Sequence, residues 1–181
     1  MSARLSLADK VVQLHLALAN GRVPHAFGGA LALAWCTRRA RGTIDIDVNL
    51  FVEVDQLDLV VTALPAAVVV GPEERDQIER DGQARLWWDA TPVDVFFTTT
   101  AFHVAAAERA RREWFAGHEV PFLDCSDLAV FKAFFDRTKD WADLEEMHAA
   151  GTLDVPSLVG TLTVLLGKDD HRLARLLSLV G

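Results

Sequence analysis

Two aspartates, Asp45 and Asp47, stand two positions apart in the run Thr43-Ile-Asp-Ile-Asp-Val-Asn-Leu-Phe-Val-Glu53, whose apolar and polar residues alternate almost without a break. In a β-strand the side chains at i and i+2 share a face and the rise is roughly 3.3 Å per residue, so the two carboxylates converge within about 7 Å. Such a pair is costly unless a positive charge lies between its members. Mg²⁺, a hard cation that prefers carboxylate and phosphate oxygens, is the natural occupant. A solvated strand face is the other reading of the same spacing. A third acid, Asp94, is flanked by Val93, Val95, Phe96 and Phe97 in a segment that otherwise reads as buried. A lone acid there carries a large desolvation cost unless it is paired or bound to a cation. If its strand lies beside the Asp45 strand, Asp45, Asp47 and Asp94 form one metal site, with Asp94 also able to accept a proton from an attacking hydroxyl. The alternative is that alternation simply points Asp94 outward.

Upstream, Gly28-Gly29 falls where a short apolar segment, Val23–Phe27, gives way to an alanine-rich helix over Ala30–Arg38. Glycines at a strand-to-helix turn let backbone N–H groups approach a phosphate without Cβ obstruction, and the helix N-terminus adds a favourable partial charge. A tight turn that needs positive φ explains the same pair without any ligand. Downstream, a helix is expected over Asp127–Ala150. On it Lys132, Asp136, Lys139 and Asp143 fall in one charged stripe beside an apolar face of Leu128, Phe131, Phe135, Thr138 and Ala142. A salt-bridged, solvated face produces that stripe too. Arg38, Arg39 and Arg41 precede the Asp45 strand and are suited to a triphosphate or an RNA end. Arg109, Arg111 and Arg112, expected on a helix, read as ordinary surface charge. His25, His103, His118 and His148 have no metal-ligand spacing, and the tryptophans, among them Trp87, Trp88 and Trp141, read as core.

These residues need a scaffold. Helical periodicity over Leu5–Ala19 closes at Asn20-Gly21. The alternating strand at 43–53 is followed by a helix over Asp55–Leu64, a strand around Ala67–Val70 and a charged segment at Pro72–Arg80. Two strands, Gln83–Trp88 and Pro92–Phe97, read as a hairpin. A helix over Ala101–Phe115, an extended piece at Glu119–Leu123, the helix from Asp127 and two more helices starting near Pro156 and Lys168 complete the chain. Strands in the first half and helices in the second predict an α/β fold: a mixed β-sheet core over about 20–125 and a helical C-terminal region over about 126–181, within one domain spanning 1–181.

The 181 residues are 51% apolar, enough for one sizeable core. Lys and Arg number 18 against 26 Asp and Glu, a net charge of −8, which excludes a generally basic nucleic-acid-coating protein while leaving room for a local basic patch. The longest apolar stretch, Ala26–Cys36, is well short of the roughly 20 residues a spanning helix needs. No signal-like segment opens the chain, so no membrane partner and a cytoplasmic location are expected. Cys36 and Cys125 lie in apolar surroundings and are expected to be reduced and buried.

Taken together, Gly28-Gly29-Ala30-x-Ala32, Arg41-x-Thr43-x-Asp45-x-Asp47 and the isolated Asp94 resemble the DNA polymerase beta-like nucleotidyltransferase superfamily. Lys132-x4-Arg137-x-Lys139-Asp140-x-x-Asp143 resembles the downstream motif of its AbiEii and MenT-type toxin branch. The likeness covers residues 24–150. It departs from the superfamily at Gly28-Gly29, where Gly-Ser is usual, although toxin-like members also use Gly-Gly. The resemblance implies that Asp45 and Asp47 bind Mg²⁺, that Gly28 and Gly29 hold the nucleotide phosphates, that Lys132 supports the triphosphate and that Asp143 is a further active-site acid. Arg41, Thr43 and Lys139, within the same motifs, join the nucleotide-binding candidates. It further implies an NTP substrate, a toxin with a cognate antitoxin protein, and an RNA acceptor such as the tRNA 3′ end. Transfer to a small molecule such as an aminoglycoside, or a catalytically silent binding protein, are the alternatives.

Overall fold

The alternating run around Asp45 and Asp47 becomes β2 (Ile46–Glu53), an inner strand of a seven-stranded mixed sheet among the described residues. The structure, a computed structural model, describes residues 5–180. The other strands are β1 (His25–Phe27), β3 (Val68–Val69), β4 (Gln83–Trp88), β5 (Thr91–Thr98), β6 (Arg111–Phe115) and β7 (His118–Phe122), in the order β3-β4-β5-β2-β1-β7-β6. β2 runs parallel to β5 and antiparallel to β1, and the pair β1–β7 is parallel. Ile46, Val48 and Leu50 are fully buried on one face, so the period-2 pattern fixes the register and turns Asp47 to the other face. Asn49, on the polar side of that alternation, is buried as well.

The helices are α1 (Leu7–Asn20), α2 (Gly29–Thr37), α3 (Leu57–Ala63), α4 (Pro72–Asp81), α5 (Ala101–Arg109), α6 (Cys125–Phe135), α7 (Thr138–Ala149), α8 (Val155–Leu166) and α9 (His171–Val180). The fold class is therefore α/β, with a helical C-terminal region. The chain packs into two units: residues up to Leu31 with Gly42–Leu123, and Ala32–Arg41 with the chain from Asp124 onward. In the first unit, α1 starts at a Ser6–Asp9 capping box. Its buried Lys10 donates to Trp88 O (2.8 Å), Thr91 Oγ1 (3.0 Å) and Asp89 Oδ2 (3.2 Å), pinning the β4–β5 turn to the helix. Among the described residues, no helix is long and apolar enough to cross a membrane.

Several expectations need correction. The charged segment at Pro72–Arg80 is helix α4, started by Pro72 at its first turn and stopped by Gly82 at φ +68°. The helix expected over Ala101–Phe115 ends at Arg109, and residues 111–115 form β6. Ala116 and Gly117, both at positive φ, make the tight turn that pairs β6 with β7, and that pairing outweighs the helical pattern of a short segment. Arg111 and Arg112 are thus on a strand. The single helix expected over Asp127–Ala150 is two, because Asp136 adopts the left-handed conformation (φ 57°) and closes α6. Lys132 and Asp143 stand on different helices, so the expected one-helix stripe does not exist. Cys36 and Cys125, expected as thiols, form a disulfide between the end of α2 and the start of α6, with Cα atoms 5.6 Å apart. A sequence separation of 89 conceals the pairing from spacing alone. Trp88 and Trp141 are core, whereas Trp35, Trp87 and Trp114 are substantially exposed.

Candidate active site

Three positions line up across the middle of the first unit's sheet. The β2–β5 register sets Asp47 directly beside Asp94, and the β4–β5 register sets Arg85 directly beside Asp94. On the other side of β2, the antiparallel pairing with β1 continues into the turn, where Gly28 N–H donates to Asp47 O (2.9 Å). The row therefore reads Asp47, Asp94, Arg85 on three adjacent strands, spaced roughly 4.8 Å apart, with Gly28 just past the end of β1 on the far side of β2. Asp45 lies just before β2. Thr43 Oγ1 donates to its Oδ1 (2.6 Å), and Asp45 N–H donates back to Thr43 Oγ1 (3.3 Å), which fixes the carboxylate where the strand begins. Thr43, a nucleotide-binding candidate, thus orients Asp45.

The glycine turn is fitted to the acids. Gly29 sits at φ +53°, and a Cβ there would fall 2.0 Å from Asp47 Oδ2. Only glycine leaves room for that carboxylate. At Gly28 a Cβ would lie 3.0 Å from Asn49 Nδ2 and 3.2 Å from Leu123 Cδ1. Because the Gly28 N–H is already used by Asp47 O, this glycine contributes close approach, and donors toward a ligand must come from the residues that open α2.

Arg85 was not singled out by sequence reading. Its guanidinium clamps Asp94 with two parallel bonds, Nε to Oδ1 and Nη2 to Oδ2, both 2.7 Å, and its Nη2 lies 3.8 Å from Asp45 Oδ2. The hydrogen bonds to Asp94, reinforced by the charges of Asp94, Asp45 and Asp47, hold the guanidinium pKa above its already high ordinary value. The signal was present in the hairpin: counting back from a two-residue turn at Asp89-Ala90 pairs Arg85 with Asp94. Three carboxylates on one face with a cation seated against them are the oxygen donor set that a hard divalent ion takes, so the residues fit Mg²⁺ in kind. Among the described residues, however, no three His, Cys, Asp or Glu side chains are arranged to hold a metal ion.

The second unit holds the other candidates. Lys132, on α6, is buried and donates to Asp143 Oδ2 on α7 (2.5 Å), with Asp140 Oδ1 at 3.7 Å. Arg41 bonds the second oxygen of Asp143, which raises the arginine's pKa, and Arg137 Nε bonds Asp140 (2.6 Å). Lys139 is exposed on the first turn of α7. The structure thus groups Arg41, Lys132 and Asp143 in one unit and Gly28, Gly29, Thr43, Asp45, Asp47 and Asp94 in the other.

The solution structure of the antibiotic-resistance factor ANT(2'')-Ia matches with a TM-score of 0.55 at 11% identity, over 94% of this chain and 89% of that one. The crystal structure of ANT(2'')-Ia in complex with adenylyl-2''-tobramycin matches with a TM-score of 0.53 at 13% identity, over 94% and 97%. The fold is that of a nucleotidyltransferase. No protein-family model matches the chain, and no curated protein matches it. On the nucleotidyltransferase fold, the acidic row and the glycine turn lie in one layer, at the start of the parallel pair β2–β5 and at the end of β1.

Proposed function

We propose that this chain, acting as one module over residues 1–181, is a Mg²⁺-dependent nucleotidyltransferase that moves a nucleoside monophosphate from an NTP to a hydroxyl acceptor. The observation that carries this reading is the row of Asp47 and Asp94, with Asp45 beside it, built against a glycine turn that only glycine can make. Asp45, Asp47 and Asp94 would hold the ion. When bound, Mg²⁺ offsets the negative charge that builds on the phosphate oxygens. The turn at Gly28 and Gly29 lets the N-terminus of α2 receive the triphosphate. The acceptor oxygen attacks the α-phosphorus, a new P–O bond forms, the bond to the β-phosphate oxygen breaks, and pyrophosphate leaves. Asp94 takes the hydroxyl proton. The resemblance of the Lys132–Asp143 motif supports nucleotide-binding roles for Lys132, Lys139 and Arg41 and an active-site role for Asp143.

The same motif supports a toxin of the AbiEii and MenT type, neutralised by an antitoxin, with a tRNA 3′ end as acceptor in the cytoplasm. With a net charge of −8, RNA binding rests on a few local contacts, and the exposed Arg38 and Arg39, just before the Asp45 strand in sequence, are candidates for them. A small-molecule acceptor is the second reading. The two ANT(2'')-Ia structures favour it, since one of them holds adenylyl-2''-tobramycin and both match this chain over nearly its whole length. Incubation with each labelled NTP, Mg²⁺ and either total tRNA or a panel of aminoglycosides decides between them. Label on tRNA, with growth arrest on expression, supports the toxin; label on the small molecule without arrest supports the second reading. No label on either acceptor removes both and leaves a silent binding protein.

A further inference from the structure

Asp94 lies directly beside Asp47 in the sheet, where a metal would need its oxygens, yet both of those oxygens are engaged by the Arg85 guanidinium. The same guanidinium also lies 3.8 Å from Asp45 and senses the charge of Asp47. Arg85 thus pairs with Asp94 and Asp45 and lies within electrostatic reach of Asp47. Without it, three acids on one face would repel one another, because like charges at this spacing disfavour joint ionisation. The side chain of Arg85 is 50% exposed, whereas that of Asp94 is only 18% exposed. A half-exposed arginine on a long stem can swing into solvent with no change in the backbone; Asp94, fixed in a central strand, cannot follow it.

We propose that Arg85 is a positioning residue that occupies the cation position of the carboxylate row, holds Asp94 in its rotamer, and must release Asp94 before a divalent cation is fully coordinated. Arg85 and the metal then compete for one set of oxygens. Planar, bidentate guanidinium–carboxylate pairing makes this competition stronger than a lysine at the same place would. The inference rests on the metal-dependent reading given above, and it has a direction opposite to that of a merely structural residue, whose loss loosens the row and weakens metal binding.

The test is Mn²⁺ binding to the full chain without nucleotide, followed by electron paramagnetic resonance of the free ion. Arg85→Ala is expected to bind Mn²⁺ about threefold to fivefold more tightly than the unaltered protein, because one competing, half-exposed ion pair is removed. Arg85→Lys, which keeps the charge but loses the fork, should fall between the two, and it carries the test if Arg85→Ala fails to fold. Equal or weaker Mn²⁺ binding in both variants, with binding to the unaltered protein lost in Asp47→Asn, overturns the role of Arg85 and leaves the metal-dependent reading standing. Absence of Mn²⁺ binding in the unaltered protein and in both Arg85 variants overturns that reading and this inference together.

Discussion

The two units each contain a cluster of charged side chains, and the clusters are built on opposite terms. In the first unit, Asp45, Asp47 and Asp94 gather around the guanidinium of half-exposed Arg85 on a face that solvent reaches. In the second, Asp140 and Asp143 are almost completely buried and are matched by Lys132, Arg41 and Arg137. A buried cluster with matched charges holds two helices at a fixed angle, and breaking it leaves a charge stranded in a medium that solvates it poorly. An exposed cluster of carboxylates does little for stability, but it invites a cation. On the proposed function, loss in the first cluster costs chemistry, whereas loss in the second costs the fold as well.

The largest expected effect breaks the first cluster. Asp47→Asn keeps the shape beside Gly29 and removes one of three like charges, so nucleotide transfer should fall by roughly 10³-fold or more while the melting temperature holds or rises. Near-normal transfer at saturating Mg²⁺ would falsify the assignment of Asp47. In the second cluster the pattern should invert. Lys132→Met leaves Asp143 with Arg41 alone and should cost about 3–5 kcal/mol in urea unfolding. Adding Asp143→Leu to that variant should recover much of the loss, since an apolar pair of similar volume replaces the ion pair. A Lys132→Met protein with unchanged stability and lost nucleotide binding would mean that Lys132 serves the ligand and not the fold.

The first cluster was largely legible in the sequence and the second was not, for a physical reason. Period-2 alternation over 46–53 fixes which side chains share a face, so Asp45 and Asp47 follow from spacing, whereas setting Asp94 beside them takes the parallel β2–β5 pairing, which spacing leaves open. Arg85 was missed because a single arginine in a strand carries no motif. Asp136 closes α6 with no Gly or Pro to mark the break, so spacing puts Lys132 and Asp143 on one helix when they face each other from two. The β6–β7 hairpin was hidden for a similar reason: Ala116 at positive φ is an uncommon choice, and the preceding alanine-rich run favours helix. The Cys36–Cys125 pairing depends on contact between distant segments, which composition does not encode.

A third effect sharpens the contrast through pH. In the first unit His25 Nδ1 donates to Val23 O (2.7 Å), and its Nε2 meets His15 Nδ1 (2.9 Å). Burial pushes the His25 pKa down to about 4, with the charges of His15 and Arg112 acting in the same direction; His15 is also lowered by burial, with Arg112 and His118 nearby. A depressed histidine pKa means that the unfolded chain takes up a proton that the folded chain refuses. The contribution is fully favourable above pH 6.5 and is lost as pH falls from about 6.5 to 4, by up to about 3 kcal/mol. His25→Gln should flatten that slope relative to the unaltered protein in urea melts at pH 7 and pH 4.5. Parallel slopes would show that His25 is not buried in its neutral form.

The smallest expected effect separates the two cations on Asp143. Arg41 is 44% exposed, while the Lys132 side chain is 7% exposed. A half-exposed guanidinium keeps most of its hydration whether paired or not, so its ion pair is screened and contributes about 0–1 kcal/mol. Arg41→Ala should therefore shift unfolding by no more than that, because Lys132 still compensates the buried carboxylate. In Lys132→Met the same removal should cost more, since Asp143 then has no cation at hydrogen-bond distance. The double-mutant cycle measures that coupling. A nucleotide-binding role for Arg41 adds a second readout: Arg41→Ala would raise the KM for NTP several-fold while stability stays put, and Arg111→Ala, on a strand of the other unit and paired with Glu113, would leave that KM unchanged. Equal destabilisation by Arg41→Ala and Lys132→Met would mean that burial does not rank these cations, and the contrast drawn between an open and a closed cluster would fail at its closed end.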